Sequence, residues 1–195
     1  MKKSEETRLN ILKKSAQLMY VRGYQSTSID DILSSMQVTK GAFFYHFKNK
    51  EEMALAFIRE LMYPGMIAMM IEPLNKSTDP IKDINKLIKN ILNDHIHFDV
   101  RYGCPMINLI EEMAPLSERF NKALKMITLT WTNAIGECLK RGQEDGKVRA
   151  DLDVMDASNY IITAYAGARN MGKMFGTKSY STFLKQFVIY METLK

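Results

Sequence analysis

Between Ser117 and Gly142, six large apolar residues recur at steps of four and three: Phe120, Leu124, Ile127, Trp131, Ile135 and Leu139. Such spacing lines one side of a long helix, whereas a strand would scatter these residues over both of its faces. The same steps recur at Ile11, Leu12, Ala16, Met19 and Tyr20, and again at Ile29, Ile32, Leu33 and Met36. With five prolines in 195 residues and only short β-branched runs, the chain reads as all-α with about nine helices.

Local signals set the expected boundaries. Ser4 is read as the cap of a first helix, with Glu5 and Glu6 at its positive end and Gly23 as its stop. Thr27 with Asp30 caps a second helix, Thr39 a short third, and Asn49 with Glu52 a fourth that passes Leu55, Ile58 and Met62. A fifth is predicted over 81–98, carrying His95 and His97. A short sixth lies before Pro115, the long seventh follows from Ser117, and Asp153 caps an eighth that runs to Phe175. A ninth runs from Tyr180 to the end. The domain division expected is a head at 1–50, the fourth helix (50–71) as connector, and a larger helical domain at 72–195.

Charge is distributed unevenly. Residues 1–50 hold nine Lys/Arg and four Asp/Glu, so the whole net charge of +5 sits there and the remainder balances to zero. A basic first quarter points to nucleic acid or an anionic surface. The apolar runs are broken by charges, and no membrane span is expected. The N-terminus lacks the apolar core of a signal peptide, and two cysteines, Cys104 and Cys138, make no disulfide framework. A cytoplasmic protein is expected.

Within the basic quarter lies Thr39-Lys40-Gly41-Ala42-Phe43-Phe44-Tyr45-His46-Phe47-Lys48-Asn49-Lys50. Phe43 and Phe47 share a face and can anchor the segment. Lys40, Phe44, Tyr45 and His46 then face outward. Two short helices joined by a tight turn, the second basic and aromatic, form a helix-turn-helix, whose second helix enters the DNA major groove. Thr39, Lys40 and Gly41 open that helix, where backbone N–H groups can hold a phosphate. Tyr45 and His46 can donate to phosphates or bases, and Ala42 and Phe44 can meet a thymine methyl. Lys48 and Lys50 suit phosphate contacts, and Thr27 and Ser28 are placed for the opposite phosphates.

The stretch Thr7 to Leu61 resembles the DNA-binding domain of the tetracycline-repressor (TetR) family. The resemblance is carried by Arg22-Gly23-Tyr24, Thr27-Ser28-Ile29-Asp30-Asp31-Ile32, Val38-Thr39-Lys40-Gly41, Phe43 through Phe47, and Lys50-Glu51. Two positions depart from the family pattern: Gln37 stands where a turn glycine is usual, and Phe44 where a tyrosine is usual. The resemblance implies an all-helical homodimer, most often a repressor of a palindromic operator in double-stranded DNA, released by a small molecule.

The larger domain carries no phosphate loop, dinucleotide glycine pattern or metal-ligand spacing, so neither an enzyme nor a cofactor is expected. His95 and His97 are spaced too closely on a helix to share a metal, and Glu111-Glu112 reads as a solvated pair. Eleven of the fifteen methionines lie at or after Met62. Methionine suits adaptable apolar surfaces. Met62, Met66, Met70 and Met113, with Phe98, Trp131 and Tyr165, are consistent with a pocket for an apolar or aromatic ligand, and the resemblance implies such a pocket there. Gly103-Cys104-Pro105 through Glu112 resembles one branch of the family. In that branch, some relatives place a redox- or electrophile-sensing cysteine at the position of Cys104. Asn108 is itself a candidate polar group of the pocket. The resemblance also places the dimer contact on the last two helices. Tyr160, Ala164, Ala168, Phe183, Phe187 and Tyr190 are the candidates. The alternative is a small-molecule or redox module whose basic head docks a protein partner or a membrane surface.

Overall fold

The computed structural model describes residues 3–36 and 38–195. Among them nine helices follow one another: α1 (Lys3–Arg22), α2 (Ile29–Ser34), α3 (Lys40–His46), α4 (Lys50–Asn75), α5 (Pro80–Leu92), α6 (Pro105–Met113), α7 (Glu118–Glu144), α8 (Val154–Phe175) and α9 (Thr177–Glu192). Helices are the only regular elements of the described residues. Residue 37, where a left-handed turn is expected, lies outside them.

Most helix starts follow the sequence signals. Thr39, Asn49 and Asp153 each accept a backbone N–H of the first turn, at Ala42, Glu52 and both Met155 and Asp156. Gly23 ends α1 at φ 89°, a left-handed conformation that costs glycine little. Four boundaries differ. Ser4 lies inside α1 rather than before it. Ser28, not Thr27, caps α2 in a reciprocal capping box with Asp31, because the Thr27 hydroxyl donates instead to the Gly23 carbonyl at 2.8 Å. Helix α9 begins at Thr177, one residue after Gly176 at φ 67°. Helix α5 stops at Leu92, since Asp94 takes the N–H groups of Ile96 and His97 onto its carboxylate, both at 3.0 Å. A short acid that binds nearby backbone competes with the helix in this way. His95 and His97 therefore sit in a turn, and His97 Nδ1 lies 2.7 Å from Asp94.

Helix α4 is not uniform. It opens into π-helical turns at Ile58–Met62 and Ile67–Ile71, and a proline follows each, Pro64 and Pro73. A proline ring clashes with the carbonyl four residues back, and the wider π turn moves that carbonyl away. By length and composition alone α4 could span a bilayer, with mean hydropathy 1.4 over an 18-residue window, against the expectation from its interrupting charges. Much of that apolarity belongs to core residues, including Met53, Leu55, Ile58, Met66, Met70, Ile71 and Leu74.

The chain forms two compact units, one of residues 1–64 and 105–125, the other of 65–104 and 126–195. In the first, α1 packs on α2, α3, α4 and α6. Ile11, Leu12, Ile32, Phe43, Phe47, Met53 and Ile58 form its core, and Tyr24 meets Phe120 edge-on at 5.0 Å. In the second, α9 packs on α5 and α8. Its centre holds Trp131, Ile135, Leu139, Ile161, Tyr165 and Tyr180, all at most 1% exposed. The four-and-three stripe of α7 is buried throughout, as its spacing predicts.

Candidate nucleic-acid interface

Helix α3 is seated by Phe43 and Phe47, 0% and 1% exposed, whose rings lie 5.7 Å apart. With those two turned inward, the helix presents Lys40, Gly41, Phe44 and Tyr45 to solvent. Phe44 and Tyr45 are 46% and 77% exposed. Large aromatics left in water on a seven-residue helix need a partner to explain them. Lys40 Nζ stands 3.5 Å from Asp30, both largely exposed, a loose pair that a phosphate can replace. His46 is half-buried. Its imidazole is held below the ordinary 6.5 by burial and then by the Arg8 cation. Lys48, Ser28 and Thr39 are exposed, and Ala42 is half-buried.

Two expected DNA contacts have internal partners instead. Thr27 is fully buried with its hydroxyl on Gly23. The Lys50 ammonium donates to the carbonyls of Tyr24, Gln25 and Thr27 at 3.0, 3.4 and 3.0 Å, and lies 4.3 Å from the Tyr24 ring centroid. Burial holds its pKa below the usual lysine value. An ammonium has three N–H donors, and here all three face carbonyls. The N–H groups of the same corner are held by Glu112 of α6, which accepts from Tyr24 at 2.8 Å and Gln25 at 2.6 Å. Glu112 is thus not a solvated residue. Burial first, then Glu51 and Glu112, push the Tyr24 phenol up to about 12. Ser117 and Arg119 hold Glu51 at 2.9 and 3.0 Å, and Arg8 makes a bidentate pair with Glu60. The corner between α1 and α2 is therefore clamped by one cation on its carbonyls and one anion on its amides. Sequence spacing could not show this, since Glu112 lies 88 residues from Tyr24.

Comparison with known proteins agrees with this geometry. Residues 11–57 match the family described as "Bacterial regulatory proteins, tetR family", and residues 80–188 match "Tetracyclin repressor-like, C-terminal domain". The chain belongs to the TetR family. It is similar to an uncharacterized HTH-type transcriptional regulator of Lactococcus lactis, 33% identical over 68% of each chain. It is also similar to the HTH-type transcriptional repressor DhaR of a Mycobacterium species, 26% identical over 83% of this chain and 79% of that one. Among solved structures, a TetR-family regulator from Cytophaga hutchinsonii superposes with TM-score 0.87 at 22% identity, covering 100% and 98% of the two chains. The reduced form of Escherichia coli NemR superposes with TM-score 0.84 at 20% identity, covering 97% and 96%. This chain is accordingly a DNA-binding transcriptional regulator of the helix-turn-helix type and, like its relatives, not an enzyme.

The candidate ligand residues of this TetR-family chain divide between the two units. Met62, Asn108 and Met113 belong to the first, where Asn108 lines a very small cavity with Ala16, Met19, Tyr20 and Phe57. Met66, Met70, Phe98, Cys104, Trp131 and Tyr165 belong to the second, and all six are buried. There Trp131 and Tyr165 meet edge-on at 5.2 Å. Beside them lies Arg169, fully buried, which no spacing or motif in the sequence marks. Both cysteines are free and buried. Of the candidate dimer residues, Tyr160 is 52% exposed and its ring lies tilted against that of Tyr190, centroids 4.4 Å apart. Phe183, Ala164 and Tyr190 are half-buried, while Ala168 and Phe187 lie in the core.

Proposed function

We propose that this regulator is a repressor that binds a palindromic operator as a homodimer in the cytoplasm and is released by a small effector bound in its larger domain. The observation that carries the reading is the outer face of α3, where exposed Lys40, Phe44 and Tyr45 surround Gly41 on a helix seated by two buried phenylalanines. Ser28, Thr39, Ala42, His46 and Lys48 border that face. Lys40, His46 and Lys48 contact phosphates, and Ala42, Phe44 and Tyr45 approach base edges. Two heads one DNA turn apart need matching half-sites. Effector binding favours a form whose heads no longer fit, and a coupling of ~1–3 kcal/mol changes operator affinity about 5–150-fold.

Footprinting of the purified chain on DNA around its own gene is the test. A palindrome of about 15–30 base pairs should be protected, spanning two half-sites about one helical turn apart. Lys40→Ala should weaken protection without unfolding the protein. A chain that protects no DNA there would favour the rival reading, in which the basic head docks a protein or a membrane. Cys104 completes the proposal as a sensor of electrophiles. Its alkylation should lower operator affinity, and unchanged affinity after complete alkylation would remove that role.

A further inference from the structure

Arg169 is fully buried in the larger unit, and its partners among the described residues are neutral. Its Nε donates to the Tyr165 hydroxyl at 2.9 Å, and its Nη2 donates to the Ile91 carbonyl. Its guanidinium carbon lies 4.6, 5.3 and 5.6 Å from the ring centroids of Phe98, Tyr165 and Tyr180. Its Nη1 has no hydrogen-bond partner among the described residues. The Trp131 Nε1, on the ring that meets Tyr165 edge-on, is a second buried donor without one. A guanidinium does not give up its proton in a protein, so this position holds a full positive charge. Tyr165 does not supply the balancing charge, since burial drives its phenol well above 10 and keeps it neutral. The Tyr180 hydroxyl is near enough to favour the cation but makes no well-formed hydrogen bond to it.

A buried cation without an acid partner is costly, and aromatic faces offset only a part of that cost. A methionine or leucine would fill the same space without that cost. The retained charge therefore needs an anion that the fold itself does not provide. A carboxylate offers two oxygens, one for each of the two unpartnered donors, where a spherical ion offers a single centre. We propose that Arg169 anchors an internal anion site, and that the effector of this regulator is a small organic carboxylate whose apolar body packs on Phe98, Trp131 and Tyr165. The Arg169 Nη1 and Trp131 Nε1 donors are the groups free to receive it. Ile91, whose carbonyl holds Arg169, also lines a groove of about 350 Å³ with Met69, Leu87 and the charged Lys76, Lys86, Asp83 and Asp94. The identity of the effector class rests on the repressor reading above; the anion site itself does not.

The test is thermal unfolding of the full chain with benzoate and with the straight-chain monocarboxylates from acetate to octanoate, each beside its neutral amide. At about 100 times its Kd a carboxylate should raise Tm by roughly 5–10 °C. The amide should bind about 30-fold more weakly or worse, as for one partner of a buried charge pair being lost. Arg169→Met should be at least as stable as the parent without ligand and should lose the carboxylate response. Should that variant not fold, the comparison of carboxylate with amide on the parent chain decides alone. The site is refuted if no carboxylate in the series shifts Tm, if amides act as well, or if Arg169→Met keeps the response. Because the measurement contains no DNA, its outcome is separate from footprinting. A chain that binds carboxylate but protects no operator loses the repressor reading and keeps the site.

Discussion

Single side chains near the head carry charges whose environment sets when they act. His46 is the clearest case. Burial and Arg8 favour its neutral form, so its folded pKa lies below 6.5. For folding, the sign follows directly: the stability this contributes is present above pH 6.5 and is lost as pH falls through 6.5 toward the folded value. For DNA the sign reverses. A phosphate beside the imidazole favours the protonated form, so binding takes up protons, and operator affinity should rise as pH falls below about 6.5. Operator Kd measured from pH 7.5 to 5.5 should tighten steadily as the pH falls. His46→Gln should be flat over the same range. Equal slopes in the two proteins would take His46 off the phosphate face. Lys50 shows how residue type alone misleads here. It stands near Lys48 in the sequence and carries the same charge, yet its ammonium closes a loop corner rather than meeting solvent.

At the scale of the element, much of this protein was legible because helix ends are written in short-range chemistry. Thr39, Asn49 and Asp153 cap the helices that their side chains and the following apolar steps announce. Expectation failed where two local options were close in energy. Thr27 and Ser28 can both cap α2, and the choice follows from the Gly23 carbonyl that Thr27 meets. Asp94 ends α5 because its carboxylate outcompetes the next helical bonds. The candidate site was half legible. Its outer face follows from the spacing of Phe43 and Phe47, whereas Glu112 and Arg169 take their meaning from partners far away in sequence. Gly41 remains to be explained. It sits in the first turn of α3, and a Cβ built there meets nothing within 4 Å. Alanine is the better helix former by about 1 kcal/mol. The fold therefore has no use for glycine there, whereas the proposed close approach of a DNA backbone would have one. Gly41→Ala should raise stability to chemical unfolding by up to about 1 kcal/mol while weakening operator binding about ten-fold or more. Operator affinity equal to or tighter than the parent's would place α3 otherwise than proposed.

For the whole molecule, α8 poses the same question as Gly41. Tyr160, Ala164, Gly167, Met171 and Met174 step by four and three along one side of it. Tyr160, Met171 and Met174 are 52%, 46% and 72% exposed, and Phe175, Val188 and Ile189 are exposed as well. A Cβ on Gly167 would also meet nothing within 4 Å of its own chain. An exposed apolar seam with small residues at its middle lets a second helix come close, and a symmetric dimer brings the same seam to itself. The predicted contact thus leans on Tyr160, Ala164 and Gly167 more than on Phe187 and Ala168, which the protomer already buries. Gly167→Leu should leave the isolated protomer folded, since the space is open, and should gain helix propensity. It should drive the protein to monomer in sedimentation at micromolar concentration. Operator binding should fall with it, because one head has only half the phosphates to hold and no second half-site to reinforce it. A Gly167→Leu variant that remains a dimer and still binds its operator would mean that the two copies meet through another face.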